Sequence, residues 1–227
     1  MNAKQMAGYA AAEYVKDGML VGIGTGSTAH YLIERLGQRV AEGLKIKCVS
    51  TSIESSEYAE SLGIELLDTN DVPVLDICID GVDEVDPKFN GIKGGGGALF
   101  REKIVASTAK FNIWVCDDSK LVDKIYAFGL PVEVAPFGYK HAQKKLEEAG
   151  FVPKLRMRDG EIFVTNNHNY IFDTDYTNTK FGDDYQAMAD FLKGTLGILE
   201  TGFFLNTTDL IISAGENGIT KIENPNK

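Results

Sequence analysis

The chain has 227 residues, 44% of them hydrophobic and 25% charged, which suits a soluble globular protein of one large domain or one domain with a smaller companion. Its formal net charge of −10 repels nucleic acid and anionic membranes, so no nucleic-acid or membrane partner is expected, and an anionic ligand would need local positive potential in its pocket. No apolar run approaches the roughly 18 residues of a membrane helix.

Residues Met1 to Gly18 include Lys4, Glu13, Lys16 and Asp17 and lack the apolar core of a signal peptide. A cytoplasmic protein is expected. Short apolar strands then alternate with helical patterns. Met19–Ile23 reads as a strand, followed by Thr-Gly-Ser-Thr and a helix with Leu32, Ile33, Leu36 and Val40 on one face. Ile46–Val49 is a second strand, and Ser50-Thr51-Ser52 opens a helix ending near Gly63. Ile64–Leu67 and Val74–Ile79 are further strands. A glycine run leads into a helix from about Ala98 to Lys110, and Asn112–Cys116 is the next strand. Alternating βα units predict an α/β fold, a doubly wound and mainly parallel sheet. Cys48, Cys78 and Cys116 lie in strand-like runs without metal-ligand spacing and read as small buried hydrophobes.

The pattern changes after Ala127. Leu130–Val134 looks like a strand and His141–Ala149 like a helix stopped by Gly150. Leu155–Met157 and Ile162–Thr165 flank Asp159-Gly160, a hairpin signal. Tyr170–Phe172 continues the β pattern, and Asp184–Lys193 is helical with Met188, Phe191 and Leu192 on its apolar face. Residues 127–202 therefore read as a small inserted α+β domain. Residues 1–126 and 203–227 form the main domain, with Leu210–Ser213 as a strand returning to the first sheet.

In an open parallel sheet, ligands bind outside the carboxyl ends of the strands. Thr25–Thr28, Ser50–Ser52, Asp80–Asp83 and Asp117–Lys120 fall at such ends, and the glycine run belongs to the same edge. Gly24-Thr25-Gly26-Ser27-Thr28 before a helix offers amides, hydroxyls and a dipole to an anion, or is simply a cap. It lacks a Walker lysine, and alanine stands at position 29 where the dinucleotide fingerprint has its third glycine. Lys93 precedes four glycines, which let a ligand approach the main chain and expose amides as donors; the alternative is a flexible loop. Glu102 is either a first-turn charge on the helix dipole or a base desolvated by Leu99, Phe100, Ile104 and Val105. Asp80 and Asp83 could be solvated loop acids or a metal pair, the latter disfavoured because no histidine is near in sequence. Lys120 could be a surface ion pair. His30, His141 and His168 have no partner spacing and receive no role.

Taken together, Gly24–Thr28, Asp80-Gly81-Val82-Asp83-Glu84, Lys93-Gly94-Gly95-Gly96, Arg101-Glu102-Lys103-Ile104 and Asp118-Ser119-Lys120 resemble, in order and spacing, the ribose-5-phosphate isomerase A family. Leu130–Val134 and Glu200–Phe204 extend the resemblance across nearly the whole chain. The resemblance implies a Rossmann-like fold, a homodimer or homotetramer, and metal-free interconversion of ribose 5-phosphate and ribulose 5-phosphate without a cofactor. It implies Glu102 as the base moving a proton between C2 and C1, and Asp80 for ring opening and proton traffic between sugar oxygens. Asp83 would hold sugar hydroxyls, and Lys93 would offset the developing oxyanion with the amides of Gly94, Gly95 and Gly96. Thr25, Gly26, Ser27 and Thr28 would bind the phosphate, with Lys4; Gly81, Val82 and Lys120 would add substrate contacts. Two departures stand out. Gly97 replaces a common alanine, from which a looser helix start is expected, and Asn166-Asn167-His168-Asn169 lacks the expected Asp-Asn-Gly turn. An amino-sugar phosphate isomerase would need an ammonia-handling site, and a sugar-phosphate sensor would need a basic DNA-binding module; neither is identifiable in the sequence.

Overall fold

The structure, a computed structural model, describes residues 1–227 and divides into two compact units. The first comprises Met1–Val82, Arg101–Leu121 and Asn206–Lys227; the second comprises Asp83–Phe100 and Val122–Leu205. The second unit thus takes in residues 83–100, 122–126 and 203–205 besides the expected 127–202. Strand pairing explains this, because three short strands from these segments form one sheet.

The first unit holds seven strands: β1 (Leu20–Ile23), β2 (Lys47–Ser50), β3 (Glu65–Leu66), β4 (Ile77–Gly81), β7 (Asn112–Asp117), β15 (Leu210–Gly215) and β16 (Gly218–Glu223). They lie in the order β16-β15-β7-β4-β1-β2-β3, all parallel except the β15–β16 hairpin. Helices α1 (Ala3–Ala12), α2 (Ser27–Ala41), α3 (Ile53–Ser61) and α4 (Leu99–Thr108) accompany them. Period-2 alternation along the strands decides which side each residue serves. Val21, Ile23, Ile77, Ile79, Ile113, Val115 and Ile212 join Ala7, Ala11, Leu32, Ile33 and Leu36 of α1 and α2 in one core. On the opposite face Cys78 joins Val105 and Ala106 of α4 in a second apolar cluster. This is the α/β, mainly parallel fold expected. Helix α1 is an addition to that expectation: its N-cap Asn2 accepts from the Gln5 amide at 2.8 Å.

In the second unit, β8 (Leu130–Val134), β9 (Val152–Leu155), β12 (Tyr170–Asp175) and β13 (Ile198–Thr201) form an antiparallel sheet in the order β13-β8-β12-β9. Helices α5 (Tyr139–Glu148) and α6 (Tyr185–Lys193) bring Leu146, Met188 and Leu192 onto Val132, Val134, Phe172 and Ile198. Strands β5 (Glu84–Val85), β6 (Asn90–Ile92) and β14 (Phe203–Leu205) form the three-stranded sheet β14-β6-β5. The hairpin β10 (Met157–Arg158) and β11 (Glu161–Ile162) turns at Asp159 and Gly160, both at positive φ, as the Asp-Gly pair predicts. Leu155 belongs not to that hairpin but to β9, paired with Phe172. Residues 166–169 turn without glycine: the His168 amide donates to Thr165 O at 2.9 Å, and His168 itself takes the positive φ.

All three cysteines are buried and none forms a disulfide. Burial pushes the Cys48 thiol, and the Cys116 thiol with Asp117 and Asp118 adding to it, up to about 12. At pH 8 both are almost wholly protonated and unreactive. Iodoacetamide should therefore leave Cys48 and Cys116 unmodified in the native protein and label both after urea unfolding. Peptide mass spectrometry reads this directly, and native labelling of either would contradict its burial.

Candidate active site

In the first unit the chain runs β1, β2, β3 outward, then returns to place β4 on the other side of β1. The crevice at that switch point is where such sheets bind ligands. Here its two edges are tied to each other by one carboxylate. Asp80, only 3% exposed, accepts from the Thr25 amide at 3.0 Å and from the Gly81 amide at 2.7 Å through the same oxygen. Gly24 donates its amide to Ile79 O at 3.0 Å, and a Cβ on it would lie 1.9 Å from Asp80 Oδ1. Only glycine allows the two strand ends to come this close.

The loop that follows is braced from β2. Thr25 and Thr51 share a hydroxyl contact of 2.7 Å, and Ser55 Oγ donates to Gly24 O at 2.9 Å. Ser52 caps α3 by accepting from the Ser55 amide at 3.1 Å. Thus the Ser50–Ser52 segment supports the loop. Gly26, at φ 100°, is the N-cap of α2 and offers no capping side chain to its first turn. Fifteen residues of helix then point their positive dipole end at the Gly26–Thr28 amides. Lys4 Nζ donates to Ser27 Oγ at 2.9 Å, which brings a cation to the same place. Gly26 and Ser27 also border a cavity of about 520 Å³ lined by Glu54, Ser55, Glu57, Tyr58 and His30, whose ring stacks on Tyr58 at 4.1 Å.

Two further candidate residues lie in this unit. Glu102 is 3% exposed in the first turn of α4, one turn before Val105, whose side chain fills the space beside Gly22. Lys120 closes a short 3₁₀ turn after β7, where Asp117 accepts from the Ser119 amide at 3.1 Å. Strand β7 lies beside β4, with Asp80 opposite Trp114.

In the second unit Asp83 Oδ2 accepts from the Gly95 amide at 2.8 Å. A Cβ on Gly95 would meet Asp83 Oδ1 at 2.7 Å. Lys93 is 3% exposed, with Nζ 5.4 Å from the Phe204 ring centroid, and its amide donates to Gly202 O at 3.0 Å. The Glu200–Phe204 segment, noticed in the sequence but given no role, is what backs the lysine. The other acids of the Asp83–Asp86 stretch are structural. Buried Glu84 accepts from the Tyr126 and Phe128 amides at 2.8 and 2.9 Å. Asp86 accepts from the Lys88 and Asn90 amides at 2.8 and 2.9 Å, closing the turn between β5 and β6.

Gly97 is not loose. It is buried at φ +87°, and a Cβ there would fall 2.4 Å from Cζ of Phe163. Phe163 packs with Leu99 and Ile171, so an aromatic ring occupies the space that a side chain at position 97 would need. The altered 166–169 turn is also held firmly. Glu133 Oε1 accepts from Thr165 Oγ1 at 3.0 Å and from the side-chain amides of Asn167 and Asn169 at 3.2 and 2.9 Å.

The chain matches the family profile of ribose 5-phosphate isomerase A (phosphoriboisomerase A) over residues 47–218. It is 48% identical to ribose-5-phosphate isomerase A of Streptococcus gordonii over 223 residues, 98% of each chain. The chain belongs to the ribose 5-phosphate isomerase A family. Its fold is similar to that of ribose 5-phosphate isomerase from Plasmodium falciparum, with TM-score 0.92 and 37% identity over 97% of both chains. It is similar also to a D-ribose-5-phosphate isomerase solved in complex with phospho-erythronic acid, with TM-score 0.92 and 33% identity over 98% of this chain and 100% of that one.

Gly24→Ala should displace Asp80 from the Thr25 amide, because the new methyl cannot coexist with the carboxylate. Overpacking of this kind costs about 1–3 kcal/mol. Calorimetry should show a lowered Tm, and a variant as stable as the wild type would contradict the close approach.

Proposed function

We propose that this member of the ribose 5-phosphate isomerase A family interconverts ribose 5-phosphate and ribulose 5-phosphate, in the non-oxidative branch of the pentose phosphate pathway. The observation that carries the reading is the pair of side chains that folding avoids burying, Glu102 and Lys93, each held at 3% exposure at positions matching the family's motifs. A buried carboxylate that accepts a carbon proton and a fixed cation for an oxyanion are the two needs of enolisation.

In this reading Thr25, Gly26, Ser27 and Thr28 hold the phosphate with Lys4, using amides, hydroxyls and the dipole of α2. Asp80 assists ring opening and then moves protons between the sugar oxygens. Asp83 holds hydroxyls, and Gly81, Val82 and Lys120 add contacts to the sugar phosphate. Glu102 removes the proton from C2 of the open-chain aldose. The electron pair moves into the C1–C2 bond, and the aldehyde oxygen gains negative charge, which Lys93 and the amides of Gly94, Gly95 and Gly96 offset. The enediolate is protonated at C1 by Glu102, while the O2 proton is passed on and the C2 carbonyl forms. No metal or redox partner is needed for this balance. The complex of the related isomerase with phospho-erythronic acid supports the same chemistry, since that ligand joins a phosphate to a planar carboxylate resembling an enediolate. The family reading also carries a cytoplasmic homodimer or homotetramer, and sedimentation of a monomer would count against that assembly.

The test is turnover of ribose 5-phosphate after exhaustive dialysis against a chelator. Wild type should be fully active, and Glu102→Gln, which keeps the size but cannot take the proton, should lose about 10²–10⁴-fold in kcat with an unchanged circular dichroism spectrum. A folded Glu102→Gln protein with near-normal turnover would move the base elsewhere. Activity lost on dialysis and restored by a divalent ion would overturn the metal-free route.

A further inference from the structure

Four consecutive glycines carry no side chains with which to hold their own shape. Within the second unit, Gly94–Gly97 form a turn closed by the Gly97 amide donating to Gly94 O at 3.0 Å. A second group grips the same turn. Arg156 Nη1 lies 3.0 Å from Gly94 O and 3.1 Å from Gly95 O. Its other edge is taken by Asp173, which accepts from Nε at 2.9 Å and from Nη2. The Arg156 side chain is only 12% exposed, and its Cζ lies 5.6 Å from the centroid of Phe163, the ring that packs on Gly97.

The carbonyl and the N–H of one peptide unit point in opposite directions. Holding Gly94 O therefore fixes the Gly95 N–H, and that N–H is the one donated to Asp83 at 2.8 Å. Holding Gly95 O fixes the N–H of Gly96, whose residue is exposed. A cation on the carbonyl side also polarises each peptide and strengthens its N–H as a donor. Hydrogen bonds thus run from Asp173 through the Arg156 guanidinium and one peptide to the Asp83 carboxylate.

We infer that Arg156 is a positioning residue for the isomerisation. Backed by Asp173, it sets the Gly94–Gly95 and Gly95–Gly96 peptides and, through the first, the Asp83 carboxylate. The inference rests on the reading that Asp83 and these amides meet the substrate. Lysine cannot take this place, because four directed bonds need the planar fork of a guanidinium.

The competing role is purely structural, in which Arg156 only ties β9 to its neighbours. That role would lower Tm and the active fraction but would not depend on Asp83. The experiment is a double-mutant cycle in the full chain, with kcat and KM measured on ribose 5-phosphate for Arg156→Ala, Asp83→Asn and the pair. Arg156→Ala should lose about 10–100-fold in kcat/KM, the scale of a small misplacement of substrate-holding groups. Arg156→Lys should recover little, and millimolar guanidinium should restore part of the Arg156→Ala loss. In the Asp83→Asn background, Arg156→Ala should cost less than about threefold. Additive losses, or full rescue by lysine, overturn the inference. If Arg156→Ala fails to fold, Asp173→Asn carries the same cycle, since it keeps the guanidinium but loosens its aim. Impaired Asp83→Asn with normal Arg156→Ala sinks this inference alone, whereas a fully active Asp83→Asn sinks the substrate role of Asp83 and this inference with it.

Discussion

The contact between the end of β1 and the Asp80 carboxylate constrains everything built on the first unit. Parallel strands β1 and β4 bring Gly24 and Asp80 side by side, and the carboxylate sits where a Cβ of residue 24 would be. A buried carboxylate is costly unless donors surround it. Two amides meet it here, each a charge-assisted bond of about 1.5–3 kcal/mol. One of these amides belongs to Thr25, so satisfying Asp80 also fixes the path of the loop into α2. The loop's amides are then oriented by the acid's own solvation requirement. The same residue that the proposed chemistry uses is one the fold cannot easily release.

The second unit solves a similar problem by different means. Its glycine run has no side chains, so its shape is imposed from outside by Asp83, Arg156 and the Phe163 ring. A run of four glycines loses backbone entropy on ordering, about 0.5–1 kcal/mol per residue relative to alanine. The surrounding bonds must offset that cost, which is why acid, cation and aromatic ring converge on so few residues. The acids from Asp83 to Asp86 show how one short stretch divides its labour. Asp83 addresses the glycine turn, Glu84 the 126–128 segment, and Asp86 its own reverse turn.

Much of this was legible in the sequence, for reasons that are local. The strands β1, β2, β4 and β7 announce themselves as apolar runs ending in polar segments, with glycine at the ends of β1 and β4. The Asp159-Gly160 turn follows from two residues alone. What sequence could not show is pairing at long range. Val85 pairs with Gly91, and the far edge of Gly91 is completed by Phe204, which returns to it more than a hundred residues later. Helix α1 was not foreseen, because its small residues do not mark one strongly apolar face, and it is defined by packing on α2. Arg156 sits in Leu-Arg-Met-Arg-Asp-Gly, which reads as the polar flank of a hairpin. Nothing there distinguishes it from Arg158; only its bonds to Gly94 and Gly95 do. The need for glycine at 97 is hidden in the same way, since the ring that a Cβ there would meet lies at position 163.

The net charge of −10 bears on the proposed phosphate site before α2. At physiological ionic strength surface charges are screened over about 8 Å, so most of those carboxylates act weakly on a ligand already in the loop. The groups that remain unscreened are the nearest ones: the amides before α2, its dipole worth about half a charge, and the Lys4 ammonium beside Ser27. Amide donors also bring no counter-charge that the surrounding acids could neutralise. A cradle of more lysines would be drawn into ion pairs with neighbours such as Glu54 and Glu57, which line the adjoining cavity. A backbone cradle keeps its donors directed at the ligand whatever the surface carries, and this fits an anion site on a strongly acidic protein.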